Sequence, residues 1–224
     1  MAKRVNFQTR AGEAHGEIVE PAGTAKAPIV VLIQEWWGVN DHIRSLLDRL
    51  AAAGFIAIAP DLYDGKIAKN ADEAGAMMQA LDWTKAIGYI DGAAKFALEN
   101  PRSNGKVGIM GFCMGGALTF ASAAQLPEFS AVVPFYGLPP FDKTPWENVR
   151  APIQAHFAKI DQWATTAGGN QIKDKLTSLG KSMELYVYDA EHAFANDTRP
   201  EVHNPAATKQ AWDRATTFLH AHLG

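Results

Sequence analysis

The chain has 224 residues, 47% of them hydrophobic and 20% charged, with a formal net charge of -3 at neutral pH. That is enough apolar material for one core and too much for a disordered segment, so a single domain over 1–224 is expected. The charge balance leaves no broad basic surface, which argues against nucleic acid or an anionic membrane as partner.

One cysteine cannot make an internal disulfide, a pattern that fits a reducing, cytoplasmic setting and removes cysteine clusters as metal sites. "MAKRVNFQTRAGEAHG" has no apolar segment behind its basic residues, and runs such as "PIVVLI" are too short to span a bilayer.

In chain order, "KRVNF" and "HGEIVE" alternate polar with apolar residues and predict short antiparallel strands at a sheet edge. Six further apolar runs predict strands at 27–33, 54–60, 106–111, 130–137, 151–157 and 182–189; several are apolar on both faces, as a buried parallel sheet requires. Between them, helical spacing predicts helices over 41–53 and 73–99, from Met114, over 169–180, and from Asn204 onward with Pro205 in its first turn. Gly88 and Gly92 weaken the long second helix. This alternation predicts an α/β fold, a mostly parallel central sheet with helices on both faces. Ligands in such folds bind beyond the carboxyl ends of the strands, so strand-end residues are the candidates for chemistry.

Cys113 stands at one such end. "GFCMG" (111–115) has the Gly-x-nucleophile-x-Gly form of a nucleophile elbow, with a strand before it and "GALTFASAA" as a helix after it. The turn crowds both flanking positions, which therefore need glycine, and the helix N-terminus favours thiolate and a developing oxyanion. The competing reading is a small buried hydrophobe between strand-ending glycines.

A base and an acid should follow the nucleophile in chain order. His156 lies inside a strand and reads as a core histidine, His220 and His222 lie near the end of the last helix, and His203 is placed to help cap that helix. His192, in the loop "AEHAFAND" after the last strand, is placed to reach the elbow. Asp161, just past the strand that ends near Phe157, is placed to fix the imidazole tautomer. Asp189 and Glu191 compete for that role but share the histidine's own loop.

With these residues assembled the chain resembles the dienelactone hydrolase family of α/β hydrolases. "QEWWG" (34–38), "APDLY" (59–63), "NGKVGIMGFCMGGALTF" (104–120), Asp161 and "EHAFA" (191–195) carry the likeness. The resemblance implies an α/β-hydrolase fold and a cofactor-independent, metal-free hydrolysis of carboxylic esters or lactones of the carboxymethylenebutenolidase type, through a thioester. It implies Cys113 as nucleophile, His192 as base, Asp161 as its orienter, and the backbone N–H groups of Trp36 and Met114 as oxyanion hole.

Glu35, an odd carboxylate after an apolar strand, would disfavour thiolate if it faced Cys113 and would protect the resting thiol. The resemblance adds that it takes the thiol proton when substrate displaces it. Trp36, Trp37, Phe112 and Phe194 would supply an apolar rim to the substrate pocket, and Asn196 is expected to line it as well.

The chain also departs from the family pattern. An arginine expected four residues after the histidine is Asn196, and Arg199 is out of register. Loss of such a contact could cost about 2 to 3 kcal/mol, redirecting preference from an anionic dienelactone to neutral esters or lactones. The expected partner is a small-molecule substrate, and the expected state a monomer or small homo-oligomer. The alternatives are a single-cysteine thiol redox protein and a non-catalytic binding protein on the same scaffold.

Overall fold

The computed structural model describes residues 2–224 and contains one eight-stranded sheet. β1 (Lys3–Thr9) and β2 (Gly12–Val19) form an antiparallel hairpin, and β2 also pairs antiparallel with β4 (Ile56–Pro60). From there β3 (Ala27–Ile33), β5 (Ser103–Phe112), β6 (Phe129–Phe135), β7 (Ile153–Ile160) and β8 (Met183–Glu191) are parallel to their neighbours. The spatial order is β1-β2-β4-β3-β5-β6-β7-β8. Every residue of β3 and β4 is buried, as expected of central strands covered on both faces, whereas β8 alternates as an edge strand.

The helices are α1 (Asp41–Ala52), α2 (Ala71–Ala80), α3 (Trp83–Leu98), α4 (Met114–Ala123), α5 (Thr166–Ser178) and α6 (Pro205–Leu223). α1 and α6 share one face, joined by Arg49 stacked 4.1 Å from the Trp212 ring, while α3 and α4 pack together on the other. Side chains of Asn40, Asn70, Asp82, Thr165 and Asn204 accept first-turn N–H groups of five of these helices.

The single helix expected over 73–99 is two helices. Leu81 is extended, and Asp82 accepts from the backbone N–H groups of Thr84 (2.8 Å) and Lys85 (3.1 Å), starting α3 afresh. A short acidic side chain that competes for first-turn donors caps a helix more readily than it continues one. Gly92, which weakened the sequence reading, is required by packing: a Cβ there would lie 2.6 Å from Cγ2 of Thr9, where α3 crosses β1.

Candidate active site

Five side chains that meet at one rim of the sheet each stand just past the carboxyl end of a parallel strand. Glu35 follows β3, Cys113 β5, Tyr136 β6, Asp161 β7 and His192 β8. Their sequence separation is thus a consequence of the parallel order, which brings successive strand ends side by side. Of the four non-glycine residues with positive φ among those described, three lie here: Cys113 (56°), Tyr136 (33°) and Ala193 (63°). Backbone in this region is costly and gathers where function over-determines it.

The elbow follows from close packing. A Cβ on Gly115 would sit 2.5 Å from the carbonyl oxygens of both Ile33 and Gln34, and one on Gly111 would be 2.5 Å from Oγ1 of Thr119. Both positions exclude any larger residue, so the chain can turn from β5 into α4 with Cys113 at its apex. Cys113 is the N-cap of α4 and makes no side-chain capping bond, which leaves the first-turn N–H groups without a side-chain acceptor beside the sulfur. The hydroxyl of Tyr63 donates to the Met114 sulfur at 3.2 Å.

His192 Nε2 lies 3.2 Å from Cys113 Sγ and its Nδ1 lies 2.6 Å from Asp161 Oδ2. The other oxygen of Asp161 accepts the backbone N–H groups of Trp163 and Ala164, each at 2.9 Å. Burial alone would push the Asp161 carboxyl up, but the hydrogen bond and charge of His192, with those two N–H donors, hold it below its ordinary value. Burial likewise works against the imidazolium of His192, yet the hydrogen bonds and negative charges of Asp161 and Cys113 raise it to about 10. The imidazole is bracketed edge-to-face by Tyr136 (5.2 Å between ring centres) and Trp163 (5.4 Å).

In the loops that follow β3 and β8, Nδ2 of Asn196 donates to Oε2 of buried Glu35 at 2.6 Å, and Oδ1 of Asn196 accepts from the backbone and hydroxyl of Thr198. Glu35 Oε1 and the Tyr136 hydroxyl are both buried without a well-formed hydrogen bond. Burial, then the charges of Glu35 and Cys113, hold the Tyr136 phenol well above its ordinary value, against a weaker opposing pull from the Ala195 backbone.

Several expected residues lie elsewhere than the sequence reading put them. Phe112, stacked 4.5 Å from Phe135, and Phe194, packed on Tyr136 and Tyr188, are fully buried, and Asn196 is nearly so. They form the wall behind the site, not an open rim, because strand-end side chains that point inward are covered by the loops above them. Trp36 and Trp37 keep partial exposure, 5.2 Å apart. The sulfur's hydrogen-bonding partner is His192, while Glu35 is held by Asn196. Arg199 is pinned over Trp37 and bonded to Glu201 at 2.8 Å.

Asp189 and Glu191 are exposed, and Lys159 pairs with Asp189. His156 is a core histidine on Tyr188, its imidazole pushed down to about 3 by burial and then by the charge of Arg214. Asn204, not His203, caps α6. Sequence reasoning missed Tyr136 and Trp163; their available signals were a polar aromatic ending the run "VVPFYG" and an indole two residues past Asp161.

Two cavities, of about 380 Å³ between β1 and α3 and about 250 Å³ beside Tyr63 and Tyr89, do not include Cys113. Among the described residues no cluster of histidine, cysteine and carboxylate side chains is arranged to hold a metal, and no helix is long and apolar enough to cross a membrane.

The model of the dienelactone hydrolase family matches residues 15–223. Protein usf of Aquifex pyrophilus is 34% identical, and a putative carboxymethylenebutenolidase of Aquifex aeolicus 32% identical, each over 100% of both chains. The crystal structure of a putative dienelactone hydrolase from Klebsiella pneumoniae superposes with a TM-score of 0.88 at 24% identity, over 98% of this chain and 99% of that one.

Proposed function

Since this chain belongs to the dienelactone hydrolase family, we propose that it hydrolyses a neutral carboxylic ester or lactone through a thioester on Cys113, as one domain in a reducing cytoplasm. It is a hydrolase of the lactone and ester class; the nucleophile, the intermediate and the substrate are the proposal. The observation that carries it is the unbroken chain from Cys113 Sγ through His192 to Asp161, at 3.2 and 2.6 Å.

An imidazolium beside sulfur favours the thiolate. The thiolate attacks the carbonyl carbon, forming the C–S bond as the carbonyl electrons move to oxygen. The backbone N–H groups of Met114 and Trp36 stabilise that oxyanion. On collapse the C–O bond breaks and Nε2 of His192 gives its proton to the departing oxygen. Neutral His192 then takes a proton from water, the hydroxide adds to the thioester, and the thiolate leaves. Asp161 keeps Nδ1 protonated throughout and supports the cation.

Glu35 adds a buried carboxylate to the site, bonded to Asn196. For Glu35 to act as gate and take the thiol proton, it must first leave Asn196.

Preference for an uncharged substrate is supported by Asn196, whose amide is used on Glu35, and by Arg199, whose guanidinium is already paired. The decisive test is rapid quench with an activated aryl ester followed by intact-mass measurement. An acyl adduct that forms on the native enzyme and is absent from Cys113→Ala, with loss of turnover, is expected; full turnover by Cys113→Ala would remove the mechanism. A panel of esters and lactones with and without a substrate carboxylate tests the charge preference.

A further inference from the structure

Among the described residues, the two most exposed large apolar side chains are Trp163 (79%) and Ile160 (61%), and they flank Asp161 in sequence. Large exposed apolar groups held beside a reacting centre mark contact surfaces for ligand. The backbone of Trp163 is fixed, since its N–H donates to the same carboxylate that holds His192, and its ring stands edge-to-face on the imidazole. The indole is therefore anchored at its base and open over most of its surface.

We propose that Trp163, with exposed Ile160 three positions before it in the chain, is the subsite for the leaving alcohol, and that it takes a flat, apolar, uncharged group. The inference rests on His192 being the proton donor proposed above. In that reaction the departing oxygen must approach Nε2, so the substituent carried by that oxygen projects past the imidazole, whose ring Trp163 meets edge-to-face at 5.4 Å. The acyl portion lies on the opposite side of the scissile bond, toward the elbow. For a lactone, the same position receives the substituent on the oxygen-bearing ring carbon. Glu191, exposed and opposite Ile160 on β8, disfavours an anionic group here, Lys159 and Asp189 pair with each other 3.5 Å apart, and recognition of an uncharged group falls to stacking on the indole.

The test compares benzyl and methyl esters of one carboxylic acid on the native enzyme, Trp163→Ala and Trp163→Phe. The ratio of kcat/KM for the benzyl over the methyl ester should fall about fivefold to tenfold in Trp163→Ala, the range expected of one lost aromatic contact, and be largely restored in Trp163→Phe. The loss should appear in acylation, while breakdown of the shared thioester proceeds at one rate for both alcohols.

An equal loss for both esters would mean that Trp163 only steadies His192, and would overturn the inference. So would an unchanged ratio, including the case in which Trp163→Ala instead dissociates a dimer of the chain. Cys113→Ala separates the two levels: turnover retained there removes the nucleophile, whereas turnover lost there with an unaltered ester ratio in Trp163→Ala removes the alcohol subsite alone. Ile160→Ser provides an independent variant, expected to lower the same ratio by a smaller factor.

Discussion

Asn196 donates a 2.6 Å hydrogen bond to Glu35 across 161 positions of sequence, tying the histidine loop to the loop after β3. Both side chains are essentially buried, so the amide is the carboxylate's partner in place of water. Hydrogen bonds to a buried charge are worth more than neutral ones, and removing one partner leaves the charge uncompensated. Asn196→Ala should lower unfolding free energy by about 2 kcal/mol, read from urea denaturation at neutral pH. Asn196→Asp replaces the amide donor by a second carboxyl group facing Glu35 and should cost more than Asn196→Ala in the same denaturation series. Equal denaturation midpoints for native and Asn196→Ala proteins would show the bond to be dispensable.

The raised value of His192 fixes the sign of two pH dependences. The imidazolium is present in the folded protein up to about 10, against an ordinary histidine value of 6.5. Its contribution to stability is therefore complete below 6.5 and lost as pH rises through about 10. Since acylation uses the imidazolium proton, kcat/KM should hold across neutral pH and fall as pH approaches 10. Asp161→Asn removes a carboxylate that raises His192, so the alkaline limb should move to lower pH while kcat drops by roughly three orders of magnitude. A pH–rate profile of the two proteins with one aryl ester measures both effects. An alkaline limb that stays in place in Asp161→Asn would separate Asp161 from the proton-carrying group.

Much of this site was legible because its parts occupy strand ends. The apolar runs located six parallel strands, and Cys113, Asp161 and His192 each follow one of them at once. Glycines at 111 and 115 could be read as steric requirements without coordinates. Burial could not be read in the same way. Phe112 and Phe194 have the composition of a pocket rim, but loop placement decides whether a strand-end aromatic faces solvent, and here both are covered. Trp163 is the converse, an indole of core composition left open. The role of Asn196 depends on a contact between loops at opposite ends of the chain, and no local pattern encodes it.

His156 supplies an acid-side prediction that is independent of catalysis. It is fully buried between Phe135 and Tyr186, its Nδ1 lies 2.8 Å from the Tyr188 hydroxyl, and its imidazole is held down to about 3. The unfolded chain binds a proton at this residue below about 6.5, whereas the folded chain does not until about 3, so stability falls as pH drops through that window. One such proton contributes a slope of up to about 1.4 kcal/mol per pH unit. His156→Gln, neutral throughout, should show a shallower decline between pH 6 and 4 in denaturant melts, even if it starts from lower stability at pH 7. A parallel decline in the two proteins would assign the acid sensitivity to other groups.

The elbow makes the sharpest steric prediction. Gly115→Ala would place a methyl group 2.5 Å from the carbonyl oxygens of both Ile33 and Gln34, and neither can retreat without disturbing β3 or the loop that carries Glu35 and Trp36. Overpacking against backbone should cost about 2 to 3 kcal/mol of stability. Relief of the clash by pushing α4 away from β3 would also carry Met114 N–H and Cys113 Sγ away from the Trp36 loop, widening the gap between the two proposed oxyanion donors. Turnover of an aryl ester should therefore fall by at least tenfold in protein that is still folded by circular dichroism, a larger loss than the one seen for alkylation of the thiol by iodoacetamide, which needs the sulfur but not both donors. Alkylation and hydrolysis falling by one common factor would trace the defect to the sulfur and His192 instead of the oxyanion donors.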